Sequence, residues 1–124
     1  MWHIMVIGLG GFLGAVARYA VSGWVYRAWG SHFPYGTLAV NLLGCLGLGA
    51  VLALTEERFM VSPEWRGFLA IGVFGAFTTF STFSYETLIL LREGSFAAAL
   101  LNIGISVLAG LLAVYLGALV AKLI

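Results

Sequence analysis

The sequence predicts an all-α integral membrane protein of four transmembrane helices, the third of them broken in its middle. Three observations predict it. Hydrophobic residues make up 62% of the 124-residue chain and charged residues only 9%, against roughly 25% charge in a soluble domain. The apolar residues fall into four segments, each long enough to cross a bilayer, which takes about 20 residues. The third segment contains GVFGAFTTFSTFSYE, from Gly72 to Glu86. Its glycines, hydroxyls and carboxylate do not belong in a helix that only fills lipid. Four spans and their connections use up the chain, so residues 1–124 are read as a single transmembrane domain.

The first helix is predicted from Trp2 to Tyr26. Gly10 and Gly14 lie four apart with Gly11 and Ala15 beside them, a small-residue face that lets helices approach closely. Arg18 lies well inside this segment. An arginine at membrane depth must pair, snorkel or line water, so it either reaches the nearer interface or stands at the mouth of an anion path. The segment lacks a basic flank before it and runs beyond a signal-peptide core, so no cleaved leader is expected. The first connection, about Trp29 to Tyr35, is turn-like around Pro34 and exposes His32.

The second helix is predicted from Gly36 to Thr55. Thr37, Asn41, Gly44, Cys45 and Leu48 follow helical spacing and share one face. The Asn41 amide offers two N–H donors and one acceptor. It must find partners in another helix, in water or in a substrate. Cys45 is the lone cysteine, so it forms no intrachain disulfide and reads as a packing residue. The second connection, Glu56 to Pro63, is charged and extramembrane. The third helix starts between Glu64 and Gly67 and runs to about Leu91, with Gly72 and Gly75 expected to loosen its backbone. Thr78, Thr79, Ser81, Thr82 and Ser84 then supply hydroxyls where water is scarce. Backbone freed from a helix at membrane depth must be satisfied by protein, trapped water or a bound ion. After the turn Arg92-Glu93-Gly94, the fourth helix runs from Ser95 to Ala121, with Asn102, Ser106 and Gly110 four apart.

Four spans put both termini and the second connection on one side. That side carries Arg58, Arg66 and Lys122, and the other carries Arg27 and Arg92. Orientation follows the Lys/Arg bias of short loops, and three against two is almost none. The chain is therefore expected to insert both ways and to assemble as an antiparallel two-fold homodimer. The net charge of +1 suggests no nucleic-acid partner.

The polar side chains can bind a small anion. Asn41 and the Thr and Ser hydroxyls donate, and Phe80 and Phe83, three apart, share a helix face. A phenyl ring is positive at its edge, which would attract an anion weakly enough to let it leave again. By spacing alone, ordinary core aromatics are the better reading of this pair. Glu86 is the only carboxylate at membrane depth. It admits an ion pair with Arg18, or a role in proton-coupled transport. No His/Cys/Asp/Glu set has metal-ligand spacing, and no enzymatic chemistry is indicated.

Four blocks go further: GGFLGAVARY from Gly10 to Tyr19, GTLAVNLLG from Gly36 to Gly44, the Gly72–Glu86 stretch, and Ser106. On these the chain resembles the Fluc family of bacterial fluoride channels over essentially its whole length. The resemblance implies a passive, fluoride-selective channel of the bacterial inner membrane that lets cytoplasmic fluoride leak out and so relieves its toxicity. It also implies an antiparallel dual-topology dimer with two pores, each lined by both subunits. By the same resemblance Phe80 and Phe83 turn ring edges to fluoride and Asn41 donates to it. Thr37, Ser81, Thr82 and Ser106 line or adjoin the path, Glu86 stands near its end, and Arg18 near a vestibule. A structural sodium ion on the dimer axis would be held by the backbone carbonyls of Gly75 and Thr78. The chain has Ala76 where many members have a second glycine, Asn102 where some have tyrosine, and Gly110 where some have a second serine. Two rival readings are a proton-coupled exporter of cationic drugs and an assembly subunit of a larger complex. The exporter needs a carboxylate in the first helix, which here carries only Arg18.

Overall fold

The computed structural model describes every residue from Met1 to Ile124. It is all helix. Its elements are α1 (Trp2–Trp29), α2 (Tyr35–Glu56), α3 (Pro63–Arg66), a π-helical segment (Gly67–Phe74), α4 (Gly75–Phe77), α5 (Phe80–Arg92) and α6 (Phe96–Lys122). Four helical stretches are long and apolar enough to cross a membrane: α1, α2, the composite stretch Pro63–Arg92, and α6.

Local chemistry sets the ends. Gly30, at φ 87, stops α1, in a left-handed conformation that glycine adopts without penalty. This lies beyond the expected end at Tyr26. Ser62 caps α3 through its hydroxyl, which accepts from the Trp65 amide at 3.4 Å, and Pro63 takes the first helical position, where its missing N–H costs nothing. Gly94, at φ 77, turns the chain from α5 toward α6.

The helices pack through small residues. A methyl on Gly49 would run into the Val114 carbonyl, and one on Gly117 into the Leu46 carbonyl. These two contacts seat α2 against α6. Gly10 and Gly14 bring α1 equally close to the π-helical segment, Gly10 over Phe68 and Gly72, Gly14 over Val73. Gly36 lies under the Tyr26 ring and joins α2 to α1. Only 20 of 124 residues are buried. So small a core leaves most of the apolar surface to lipid or to another chain.

The third span differs from expectation in two ways. Gly72 does not loosen it: it is buried, and its missing side chain makes room for Ile7 and Gly10 of α1. Gly75 is helical at φ −61 and ψ −37. The break, expected from Gly75 to Thr78, falls at the end of that stretch, at Thr78 (φ −85, ψ 158) and Thr79 (φ −150, ψ 114), both extended. Threonine favours extended backbone because its branched Cβ crowds a helix. The wide π-type turns before the break were also not expected. Such turns are rare and often found near functional sites.

Candidate functional site

The break is held by Asn41. Its Oδ1 accepts from the Thr79 amide at 2.7 Å, and its Nδ2 donates to the Thr79 carbonyl at 3.1 Å. One side chain of α2 thus replaces both helical partners of one residue's backbone in the third span. The second N–H of Asn41 is not used in any of these bonds. Thr79 also caps α5: its hydroxyl accepts from the Thr82 amide at 3.2 Å and lies 3.1 Å from the Thr82 hydroxyl and 3.3 Å from that of Ser81.

These bonds free two carbonyls. In a continuous helix the Thr79 amide would bond to Gly75 and the Thr82 amide to Thr78. Asn41 has taken the first amide and the Thr79 hydroxyl the second. No group of His, Cys, Asp and Glu able to hold a metal lies in the chain, so a cation at the break would rest on backbone oxygens.

Glu86 sits between two hydroxyls. Thr37 Oγ1 donates to Oε1 at 2.7 Å and the Tyr26 hydroxyl donates to Oε2 at 2.9 Å. The two hydroxyl oxygens are 3.2 Å apart. Both protons are directed at the carboxylate, and the Thr37 amide in turn reaches the Tyr26 oxygen at 3.4 Å. Charge-assisted bonds of this kind are about twice as strong as neutral ones. The cluster joins α1, α2 and α5, which bring Tyr26, Thr37 and Glu86 together.

Arg18 does not pair with Glu86, against the expectation raised by their shared depth. The chain's ion pairs are Arg66–Glu56 and Lys122–Glu57, both outside the apolar core. Arg18 instead lines a cavity of about 230 Å³ with Ser22, Thr37, Thr79 and Thr82. Its Nε is buried and has no hydrogen-bond partner. A buried donor without an acceptor is costly, and a cavity beside it offers a place for one. A second cavity, about 570 Å³ and open, is lined by Tyr26, His32, Glu86 and Glu93 among others. Thr37 borders the first cavity and its partners Tyr26 and Glu86 the second, so the hydroxyl–carboxylate cluster stands between them.

Phe80 and Phe83 stack at 5.7 Å between centroids, tilted by 45°. Phe80 is 80% exposed, and Ser81, Ser84 and Tyr85 beside it are exposed as well. The ring pair is therefore not a core contact within this chain. On α6, Asn102 is buried and donates from Nδ2 to the Thr87 hydroxyl at 3.0 Å. Thr87 donates to the Phe83 carbonyl at 2.7 Å, and the Ser106 hydroxyl donates to Asn102 Oδ1 at 3.4 Å. Ser106 is thereby tied to the α5 backbone and not to the Asn41 cluster.

Of the residues expected from sequence, Arg18, Thr37 and Thr82 share one cavity, Thr37 also meets Glu86, and Asn41 meets the break. Thr79, one of the expected hydroxyls, is the residue Asn41 clamps; Tyr26 and Thr87 carried no such expectation. Tyr26 lies where interfacial tyrosines are common, so its sequence position carried no signal. Thr87 follows Glu86 directly, and its role depends on Asn102 facing it.

A protein-family model described as CrcB-like protein, Camphor Resistance (CrcB), matches residues 5–118. Among curated relatives, the "Fluoride-specific ion channel FluC" of Hydrogenovibrio crunogenus is 51% identical over 93% of this chain and 87% of its own length. The protein of the same name from Magnetococcus marinus is 51% identical over 98% of this chain and 99% of its own. The "Fluoride-specific ion channel FluC 1" of Methanosarcina acetivorans is 49% identical over 94% of this chain and 88% of its own.

Proposed function

Because the chain belongs to the CrcB-like family, whose relatives are named fluoride channels and not enzymes, we propose that it conducts fluoride passively and selectively through a bilayer. It is a multi-pass membrane protein by its four spanning helices. In this reading it sits in a bacterial inner membrane and lets cytoplasmic fluoride run down its gradient, which relieves toxicity.

The observation that carries the reading is the polar cavity at membrane depth beside the Asn41-clamped break. Arg18 and the hydroxyls of Ser22, Thr37, Thr79 and Thr82 line it. They supply donors and no carboxylate, a lining that favours an anion. Fluoride shed of water would take its hydrogen bonds from the Arg18 guanidinium, whose Nε has no partner, from the Thr82 hydroxyl and from the unused N–H of Asn41. Phe80 and Phe83 would add ring edges, weak enough to release the ion. Ser81, Glu86 and Ser106 stand farther along, with the Thr37 and Tyr26 protons shielding the Glu86 charge from the anion.

The exposed face of α5 supports assembly with a second copy. Ser81, Ser84 and Tyr85 set hydroxyls toward the outside of a spanning helix, where lipid offers no partner. An antiparallel homodimer would cover them and complete two pores, each with residues of both subunits. The freed Gly75 and Thr78 carbonyls fit a structural sodium ion at the dimer axis, since hard oxygen donors suit a hard cation. When bound, sodium would supply positive charge to oriented carbonyls and so fix the break.

The deciding experiment is efflux from liposomes holding the purified protein and loaded with fluoride or chloride, followed with ion-selective electrodes. Fluoride release at least about a hundredfold faster than chloride release is expected. Equal rates, or no release, would sink the reading. An exporter of cationic drugs would instead show proton-dependent uptake of cations.

A further inference from the structure

A groove away from the ion path has the shape and chemistry of a lipid site. It lies between the start of α1 and the start of the third span, holds about 280 Å³, and is lined by Trp2, Val6, Leu9, Glu64, Trp65 and Phe68. Five of these six are hydrophobic. Trp65 meets Phe68 edge-on at 5.5 Å between centroids, which fixes one wall. Trp2 and Trp65 stay mostly exposed. Tryptophans at the ends of spanning helices sit at headgroup level, and their indole N–H groups suit phosphate and ester oxygens.

Glu64 sets the ligand's sign. The Lys and Arg side chains at this end of the bundle are engaged: Arg66 with Glu56 and Lys122 with Glu57, each at 3.2 Å, and the Arg58 guanidinium with the Lys122 carbonyl at 3.0 Å. Glu64 is exposed and has no ion-pair partner among the chain's salt bridges. With no ion pair of its own, and with Ser62 and His3 as its neighbours, it sets a carboxylate at the mouth of an apolar groove.

We infer that this groove holds one acyl chain of an aminophospholipid, with its primary ammonium on the Glu64 carboxylate and its phosphate at the Trp65 indole N–H. An ethanolamine headgroup carries N–H donors for the carboxylate. A choline headgroup has the charge but no donor. An anionic headgroup is repelled. The site is independent of the channel reading, because none of its residues lines the polar cavity or touches the break.

The test uses tryptophan quenching by brominated lipid. The full chain carrying Trp2→Phe, Trp24→Phe and Trp29→Phe keeps Trp65 as its sole tryptophan. It is reconstituted in phosphatidylcholine vesicles containing a fixed fraction of acyl-brominated phosphatidylethanolamine or, in parallel, acyl-brominated phosphatidylcholine. The ethanolamine lipid should be preferred at Trp65 by roughly two- to fivefold, the strength of an exposed ion pair. Glu64→Gln should bring the ratio to one while leaving acyl-chain quenching in place, with helicity by circular dichroism confirming the fold. A ratio of one in the parent chain would leave only ordinary boundary lipid and overturn the proposal. A preference that survives Glu64→Gln would overturn the role of the carboxylate. Trp65 that is not quenched by either lipid, and that cross-links to a second copy, would show the groove to be a subunit contact instead.

Discussion

Asn41 is the residue on which the third span depends. Its amide satisfies the N–H and the C=O of Thr79 at once. Asn41→Ala would leave both unpaired, at a cost of about 1–3 kcal/mol for the buried N–H alone. The midpoint of unfolding in detergent should fall accordingly, and fluoride efflux should drop with it. Phe80→Ile and Phe83→Ile probe a different property. They preserve apolar bulk but remove the ring edge, so efflux should slow at least about tenfold while the unfolding midpoint stays near that of the parent; unchanged efflux would return both rings to packing. Glu86 gives a third test. Its partners are Thr37 and Tyr26, so Arg18→Gln and Glu86→Gln should add within about 0.5 kcal/mol in a double-mutant cycle on efflux rates, while Thr37→Val and Glu86→Gln should couple by about 1 kcal/mol or more. Sequence made Asn41, Thr37 and Glu86 conspicuous because polar residues stand out in apolar segments. It could not say which polar groups meet. Depth along the membrane is readable from residue number, but the direction a side chain faces is not, which is why Arg18 with Glu86 looked reasonable and Tyr26 with Glu86 was missed.

At the scale of elements, glycine serves contact more than flexibility. The four spans were legible because about 20 apolar residues leave a plain trace, and their ends moved by only a few residues. The break falls at the end of the stretch Gly75 to Thr78 where it was expected, but glycine does not make it: Gly72 is a seat for α1 and the two threonines after Phe77 do the bending. This makes a paired prediction in α1. Gly14→Ala would press a methyl into the Val73 carbonyl, backbone that cannot swing aside, and should destabilise by about 1–3 kcal/mol as overpacking does. Gly11 has nothing within 4 Å of an added methyl. Gly11→Ala should be neutral or stabilise by up to about 1 kcal/mol through helix propensity. Denaturation in detergent by circular dichroism compares the two. Equal effects would mean that α1 does not rest on the π-helical segment as described.

At the scale of the molecule, a small core and balanced charges point the same way. A chain with 20 buried residues of 124 and hydroxyls on an outer face of α5 is suited to burial against another chain. Its basic residues outside the bilayer, Arg58, Arg66 and Lys122 against Arg27 and Arg92, give the insertion machinery little to choose by. Two of the three on the first side are further neutralised by Glu56 and Glu57. If both orientations are needed for an antiparallel pair, fixing the orientation should abolish function without harming the fold. Ser31→Lys with His32→Lys places two added cations in the first connection, where Ser31 and His32 are exposed, and turns three against two into three against four. Cysteine accessibility in cells, read from single cysteines placed in the second connection of a Cys45→Ser background, should change from labelling on both faces to labelling on one. Cells making this variant alone should lose fluoride resistance. Co-expression with a variant biased the other way, carrying Glu56→Lys and Glu57→Lys, should restore it. Resistance from the first variant alone would exclude the antiparallel homodimer and require a parallel assembly.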